Sequence, residues 1–247
     1  MPVPLTISRL SDRPDLADVM WDMASPWPEF MRHDPIGGLF YGNVVDRFAD
    51  YVLIAQDESG AVVAEAFSVP FVLDGDELPP DGWDAVIRSG LLASVRGQEP
   101  NAVSAVEIVV GAALQGQGLS AQMLAAMRDN AARHGFAELV APVRPNGKTE
   151  VNEPMSTYAF RVRDDGLPLD PWLRVHVRAG GVIDRVAPRS MVIPGTLEEW
   201  REWTDQPFDT TGPVEVPKAL VPVWCDVEHG TATYVEPNVW VRHSTGA

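Results

Sequence analysis

The sequence predicts an α/β protein built on one mixed β-sheet flanked by helices, and three observations carry that reading. Residues 101–143 run strand, loop, helix, strand. In them "NAVSAVEIVV" is β-branched, "LSAQMLAAMRDNAARHG" sets Leu119, Met123, Met127 and Ala131 at four-residue steps, and "FAELVAPV" is apolar and short. Residues 51–73 hold two β-rich runs joined by "DESG", the pattern of a hairpin. The last third ends in "PKALVPVWCDVEHGTATYVEPNVWVRH", two or three strands turning at "EHG".

The elements follow in order. "LTISRL" alternates apolar and polar residues and reads as a first strand. "SDRPDLADVMWDMA" reads as a helix, with Ser11 or Asp12 as its N-cap and Pro14 in its first turn. "SPWPEFMRHDPIGG" is a proline- and glycine-punctuated loop with short helical turns, and a second helix runs through "LFYGNVVDRFAD". "WDAVIRSGLLASVRG" is helical, interrupted at Gly90. Gly135 ends the helix that starts near Leu119. "LDPWLRVHVRAGG" is a compact helix with Asp170 as N-cap, Pro171 at its first position and Gly180 at its end. "VIDRVAPRSMVI" is a strand broken near Pro188, and "TLEEW" opens a helix with Thr196 and Glu199 as a capping box.

Composition narrows the function. The 247 residues carry a formal charge of −16 and no basic stripe, which excludes a nucleic-acid binder. No apolar run is long enough to span a membrane, and "MPVPLTISRLSDRPDL" lacks the plan of a signal peptide, so a soluble cytoplasmic protein is expected. Cys225 sits in the strand pattern "VPVWCDV", where a buried thiol is ordinary. His33, Asp34 and His134 do not form metal-ligand spacing, and no metal is expected.

The chemistry concentrates in "GAALQGQGLSAQML", residues 111–124. Glycine at a helix start costs backbone entropy, but it lets a phosphate reach the unpaired N–H groups and positive dipole of the helix N-terminus. A tight connection needing permissive dihedrals would use the same glycines. A P-loop would need Lys-Ser/Thr after its last glycine, and Leu119-Ser120 stands there instead. A dinucleotide fingerprint would need a third glycine where Ala121 stands, and an acid at a strand end about 20 residues on, where Glu138 lies inside a strand.

The spelling that remains is Gln-x-x-Gly-x-Gly/Ala, met by Gln115 and Gly118 in "QGQGLS" with Ser120 in the last place. With "VEIVV" before it and helix and strand after it, the stretch resembles the GNAT superfamily of acyl-CoA-dependent N-acyltransferases over roughly residues 105–183. The resemblance implies a splayed sheet within residues 1–195, with 196–247 as a β-rich extension packed on the same domain. It implies acetyl-CoA or another acyl-CoA as donor. Its pyrophosphate would lie on the backbone of Gln115, Gly116, Gln117, Gly118, Leu119 and Ser120, and its pantetheine on Ile108, Val109 and Val110. Arg144 or Lys148 would assist the phosphates.

An acid within a strand of small and β-branched residues is costly to bury without purpose, which singles out Glu107. The resemblance makes it the base that takes the proton of the attacking amine. Aligning Gly180 with the family's late glycine puts His176 where a tyrosine acid stands, and Gly181 in place of a phenylalanine. Imidazole can donate a proton near neutral pH, with Tyr158 as the fallback donor. Trp27, Phe30, Phe40 and Tyr41 are candidate walls for a small-molecule amine, and the C-terminal part either walls the acceptor site or makes a homodimer contact. The alternative is a CoA-binding protein that has lost transfer and acts as a sensor.

Overall fold

The computed structural model describes residues 4–24 and 27–246, and its sheet is organised around one parting of strands. β1 (Thr6–Arg9) pairs antiparallel with β2 (Val52–Gln56). β2 forms the expected hairpin with β3 (Val62–Phe71), and the Asp57 carboxylate tightens its turn by accepting from the backbone of Ser59 and Ala61.

Between β1 and β2 the structure departs from the helices expected. Residues 10–22 make three separate 3-10 turns, Leu10–Asp12, Pro14–Leu16 and Val19–Asp22. Pro14 drives Arg13 out of helical geometry (φ −134°, ψ 63°), and the carboxylates of Asp12 and Asp15 bind Arg9 and Arg13 instead of capping. The second expected helix is split by Gly42 and Asn43 into α1 (Pro35–Tyr41), capped by Asp34, and α2 (Val44–Phe48). Ser25 and Pro26 of the intervening loop lie outside the described residues.

α3 (Gly82–Arg96) lies on β3, and the interruption at Gly90 is a packing contact. A Cβ there would come within 2.3 Å of Val69 Cγ1 and 2.9 Å of the Pro70 carbonyl. β4 (Ala102–Val110) pairs along its whole length with β3, with one extra residue, Val106, between the pairs Phe67–Glu107 and Ser68–Ala105. After the glycine loop come α4 (Leu119–Arg133) and β5 (Glu138–Val143). β5 is parallel to β4 but meets it in register only at Ser104–Val140. Past that point the two strands diverge, which is the splay expected.

α5 (Met155–Tyr158) and α6 (Pro171–Arg178) follow, then β6 (Val182–Thr196), whose register with its neighbour shifts on either side of Val186–Ala187, the second shift spanning Pro188. α7 (Leu197–Thr204) begins with the expected capping box of Thr196 and Glu199. β7 (Gly212–Val214), β8 (Val223–Asp226) and β9 (Thr231–Ser244) complete the nine-stranded sheet, of order β1-β2-β3-β4-β5-β9-β8-β7 with β6 paired to β9. β9 comes from the region beyond residue 195, and its second half lies between β5 and β6. One core, rich in aromatic residues, packs the early turns, α3 and α7 against one face; a second seats α4 and α6 on the other.

Candidate active site

The parting of β4 from β5 opens a groove of about 690 Å³. Its lining runs from Gln115, Gly116, Gly118 and Ser120 at one end to Trp27, Glu107 and Arg144 at the other. Gly116 (φ 76°) and Gly118 (φ 83°) are both left-handed, and a Cβ on either would meet nothing within 4 Å. Their conformation, and open space ahead of them, explain the glycines. Gly118 is the N-cap of α4 and supplies no side-chain acceptor, and the first backbone bond of the helix runs from Gln122 to Gly118 at 3.2 Å. The N–H groups of Leu119, Ser120 and Ala121 therefore lack helical partners at the groove's end. These donors, the positive helix end and the empty space before them fit a pyrophosphate, so the residues present fit coenzyme A.

The other expected donor-binding residues divide by face. Ile108 and Val110 line the groove, while Val109 is buried away from it. Leu119 contributes backbone only, because its side chain is buried in the core under α4. Gln117 is exposed and donates to the Ala113 carbonyl. Arg178, at the end of α6, lines the groove as an exposed cation; the sequence reading passed over it, though it stands two residues after His176.

Glu107 is at the other end, just past the bulge. One carboxylate oxygen accepts the Tyr41 hydroxyl at 2.6 Å and the other accepts the Trp27 indole N–H. Burial raises its pKa, and the two donors, which favour the charged form, hold that rise in check. The bulge carbonyl of Val106 is taken by Trp83 Nε1 at 3.0 Å, which fixes the strand where Glu107 leaves it. Of the expected walls, Trp27 lines the groove and Tyr41 acts through Glu107, whereas Phe30 and Phe40 are buried in the aromatic core.

Four expectations need correction. His176 lines the groove, but it is buried and its Nδ1 lies 2.9 Å from His243 Nε2. Burial, then the neighbouring His243, push its pKa down to about 3, so near pH 7 it is neutral and holds no imidazolium proton to give. Tyr158 is outside the groove lining and donates to Asp170 Oδ2 at 3.0 Å; burial and the Asp170 charge raise its pKa, so it braces a helix cap. Arg144 reaches the Glu107 end, not the phosphate end, with Nε on the buried Glu236 at 2.8 Å and Nη2 on the Lys218 carbonyl at 2.7 Å. Lys148 is buried outside the groove, with its ammonium on the carbonyls of Glu150 and Leu220. Gly181 replaces a bulkier family residue because a Cβ there would lie 2.5 Å from His243 Cε1.

No family model matches the chain. It is 34% identical over 275 aligned residues to "Arginine N-acetyltransferase avaD" of Aspergillus versicolor, covering 98% of this chain and 95% of that relative. The chain belongs to the GNAT superfamily. Solved structures agree on the fold. The loading GNATL domain of CurA from Lyngbya majuscula matches with a TM-score of 0.59 at 18% identity, over 98% of both chains. The GphF GNAT-like decarboxylase with isobutyryl-CoA matches at 0.54 and 15%, over 98% of this chain and 99% of that one. This GNAT protein is an acyl-CoA-dependent N-acyltransferase acting on an amine, with a CoA-based donor. A sensor that has lost transfer is not favoured by this full-length similarity. Among the described residues no helix is long and apolar enough to cross a membrane.

Proposed function

We propose that the chain transfers an acetyl group from acetyl-CoA to a nitrogen of arginine or a similar small cationic amine, by direct attack. The single observation that carries this reading is Glu107, half-buried at the parting of β4 and β5 with both oxygens held by Tyr41 and Trp27. The relative's substrate name supports the acceptor class. The carboxylate of Glu107 supports it too, since it lines the groove's far end while Glu236 beside it is already paired with Arg144.

Acetyl-CoA supplies an acyl group already activated as a thioester. The unpaired N–H groups at the start of α4 bind and orient its phosphates, and the open edge of β4 offers backbone partners to the arm beyond. Glu107 takes the proton of the attacking nitrogen as the C–N bond forms and the C–S bond breaks, and coenzyme A leaves as a thiolate that takes its proton from solvent. The raised pKa of Glu107 makes it a better base than a surface carboxylate, and Tyr41 and Trp27 keep it aimed. The buried, neutral His176 shapes the wall and moves no proton.

The test is release of free thiol from acetyl-CoA in the presence of L-arginine and a panel of other amines. Glu107→Gln should lower kcat by roughly 10²–10⁴-fold, the range of a lost general base, while CoA still raises Tm. Tight CoA binding with no turnover on any amine would return the chain to the sensor class, and unchanged kcat in Glu107→Gln would remove Glu107 as the base.

A further inference from the structure

A second cavity, of about 680 Å³, adjoins the groove. It shares Pro28, Arg144 and Asn146 with the groove and none of the phosphate-binding loop. Its position is therefore beside the Glu107 end: the Arg144 guanidinium lies 6.0 Å from the ring centre of Trp27, whose indole N–H donates to Glu107.

The charge of this cavity is opposite to that of the chain. The protein carries −16 overall and has two lysines, Lys148 and Lys218, and both line this cavity together with Arg144. One carboxylate lines it, Glu215, which accepts from Asn152 at 3.0 Å. A positive hollow in an acidic chain selects a small anion or the anionic end of a ligand.

The three cations are not equivalent. Lys148 has spent its ammonium on two backbone carbonyls, and Arg144 is bound to Glu236 and to the Lys218 carbonyl. Lys218 is exposed, and among the described residues no carboxylate lies within ion-pair reach of its ammonium. Its backbone is left-handed (φ 69°), a conformation uncommon for a side chain of that size, and Arg144 grips its carbonyl. Lys218 thus lines, on a pinned backbone, a cavity that adjoins the Glu107 end of the groove.

We propose that this cavity is the subsite for the acceptor's carboxylate, with Lys218 as its contact, so that the enzyme selects a free amino acid over the same amine without its carboxylate. This rests on the reading of the chain as an acetyltransferase of arginine-like amines. In it Glu107 serves the reacting nitrogen, and Lys218 serves the opposite charge of the same molecule.

The experiment compares L-arginine with L-argininamide and agmatine, which keep the nitrogens but lack the carboxylate. In the unmodified enzyme kcat/KM should favour L-arginine by about tenfold, the size of one charge-assisted contact. Lys218→Ala should bring that ratio close to one by raising KM for L-arginine rather than lowering kcat, and Lys218→Arg should restore most of it. Equal kcat/KM for the three compounds in the unmodified enzyme, or a Lys218→Ala ratio that does not move, overturns the carboxylate subsite and leaves acetyl transfer intact. A KM rise shared equally by all three compounds overturns it as well, since that marks a structural lysine. If CoA binds but none of the three releases thiol, the arginine-like acceptor itself is wrong, and this subsite falls with it.

Discussion

Glu107 shows what a half-buried carboxylate needs. Left alone in a strand it would be costly, and the chain offsets that cost with two donors brought from 80 and 66 residues away, Trp27 and Tyr41. The acid was legible in "AVEIVV"; its partners were legible only as aromatic residues, because no local pattern states which indole N–H meets which carboxylate. Glu65 is the contrasting case. It is buried on β3 beside Glu107 with one oxygen unpartnered, and burial, then the Glu107 charge, raise its pKa to about 8. A carboxyl whose folded pKa lies above its unfolded value near 4.5 contributes stability below that value and loses it as pH rises toward 8. Glu65→Gln, neutral at every pH, should therefore gain Tm relative to the unmodified protein between pH 6 and pH 9. A difference that stays constant between pH 6 and pH 8 would show that Glu65 is already ionised in the folded protein there, its pKa not raised.

At the scale of elements, local chemistry explains what formed and what did not. Capping signals near 170 and 196 were followed, because Asp170, Thr196 and Glu199 satisfy helix-end groups without outside help. The expected helix from residue 11 failed because arginines took its acids and Pro14 broke its geometry. Asp170 carries more than a cap, since it accepts from Trp172, Leu173, Gly147 and Tyr158 together. Asp170→Ala should cost more than the roughly 1 kcal/mol of an ordinary cap, seen as a lower midpoint in urea. Tyr158→Phe, losing one of those bonds, should keep kcat near that of the unmodified enzyme; a large loss would restore Tyr158 as a proton donor. The glycine loop makes its own prediction. Gly118→Val forces a β-branched residue into a left-handed position at the phosphate end, so the rise in Tm caused by CoA should disappear. A CoA shift of unchanged size would mean the loop does not hold the cofactor.

For the molecule as a whole, buried titratable groups set the pH range of stability. His176 and His243 have folded pKa values of about 3 and about 4, below their unfolded value of 6.5. They stabilise the fold above pH 6.5, and each withdraws up to about 1.4 kcal/mol per pH unit as the pH falls below it. Glu65 and Asp84, both raised to about 8 from unfolded values of 4.5 and 3.8, act in the opposite direction as the pH rises above those values. The two effects oppose each other between about pH 4.5 and 6.5, so stability should be flat there, falling on the alkaline side as the carboxyls ionise and on the acid side as the histidines charge. Urea midpoints across pH 4–9 measure this, and a maximum above pH 7.5 would contradict it.

By itself the sequence determined the periodic and the punctuated parts: the hairpin at 51–73, the strand–loop–helix–strand run, the caps, and the glycines that give α4 an open N-terminus. Those are short-range features, fixed by dihedral preference, helix-end hydrogen bonding and burial of one face. Only the tertiary structure decided what the site contains. It parted β4 from β5 and laid β9 between β5 and β6, so a strand from beyond residue 195 supplies Glu236 and Asn238 to the groove wall. It also sent Arg144 and Lys148 away from the phosphates and silenced His176 by burying it against His243. Charge and proton affinity depend on burial and on neighbours distant in sequence, and those are properties of the folded chain alone.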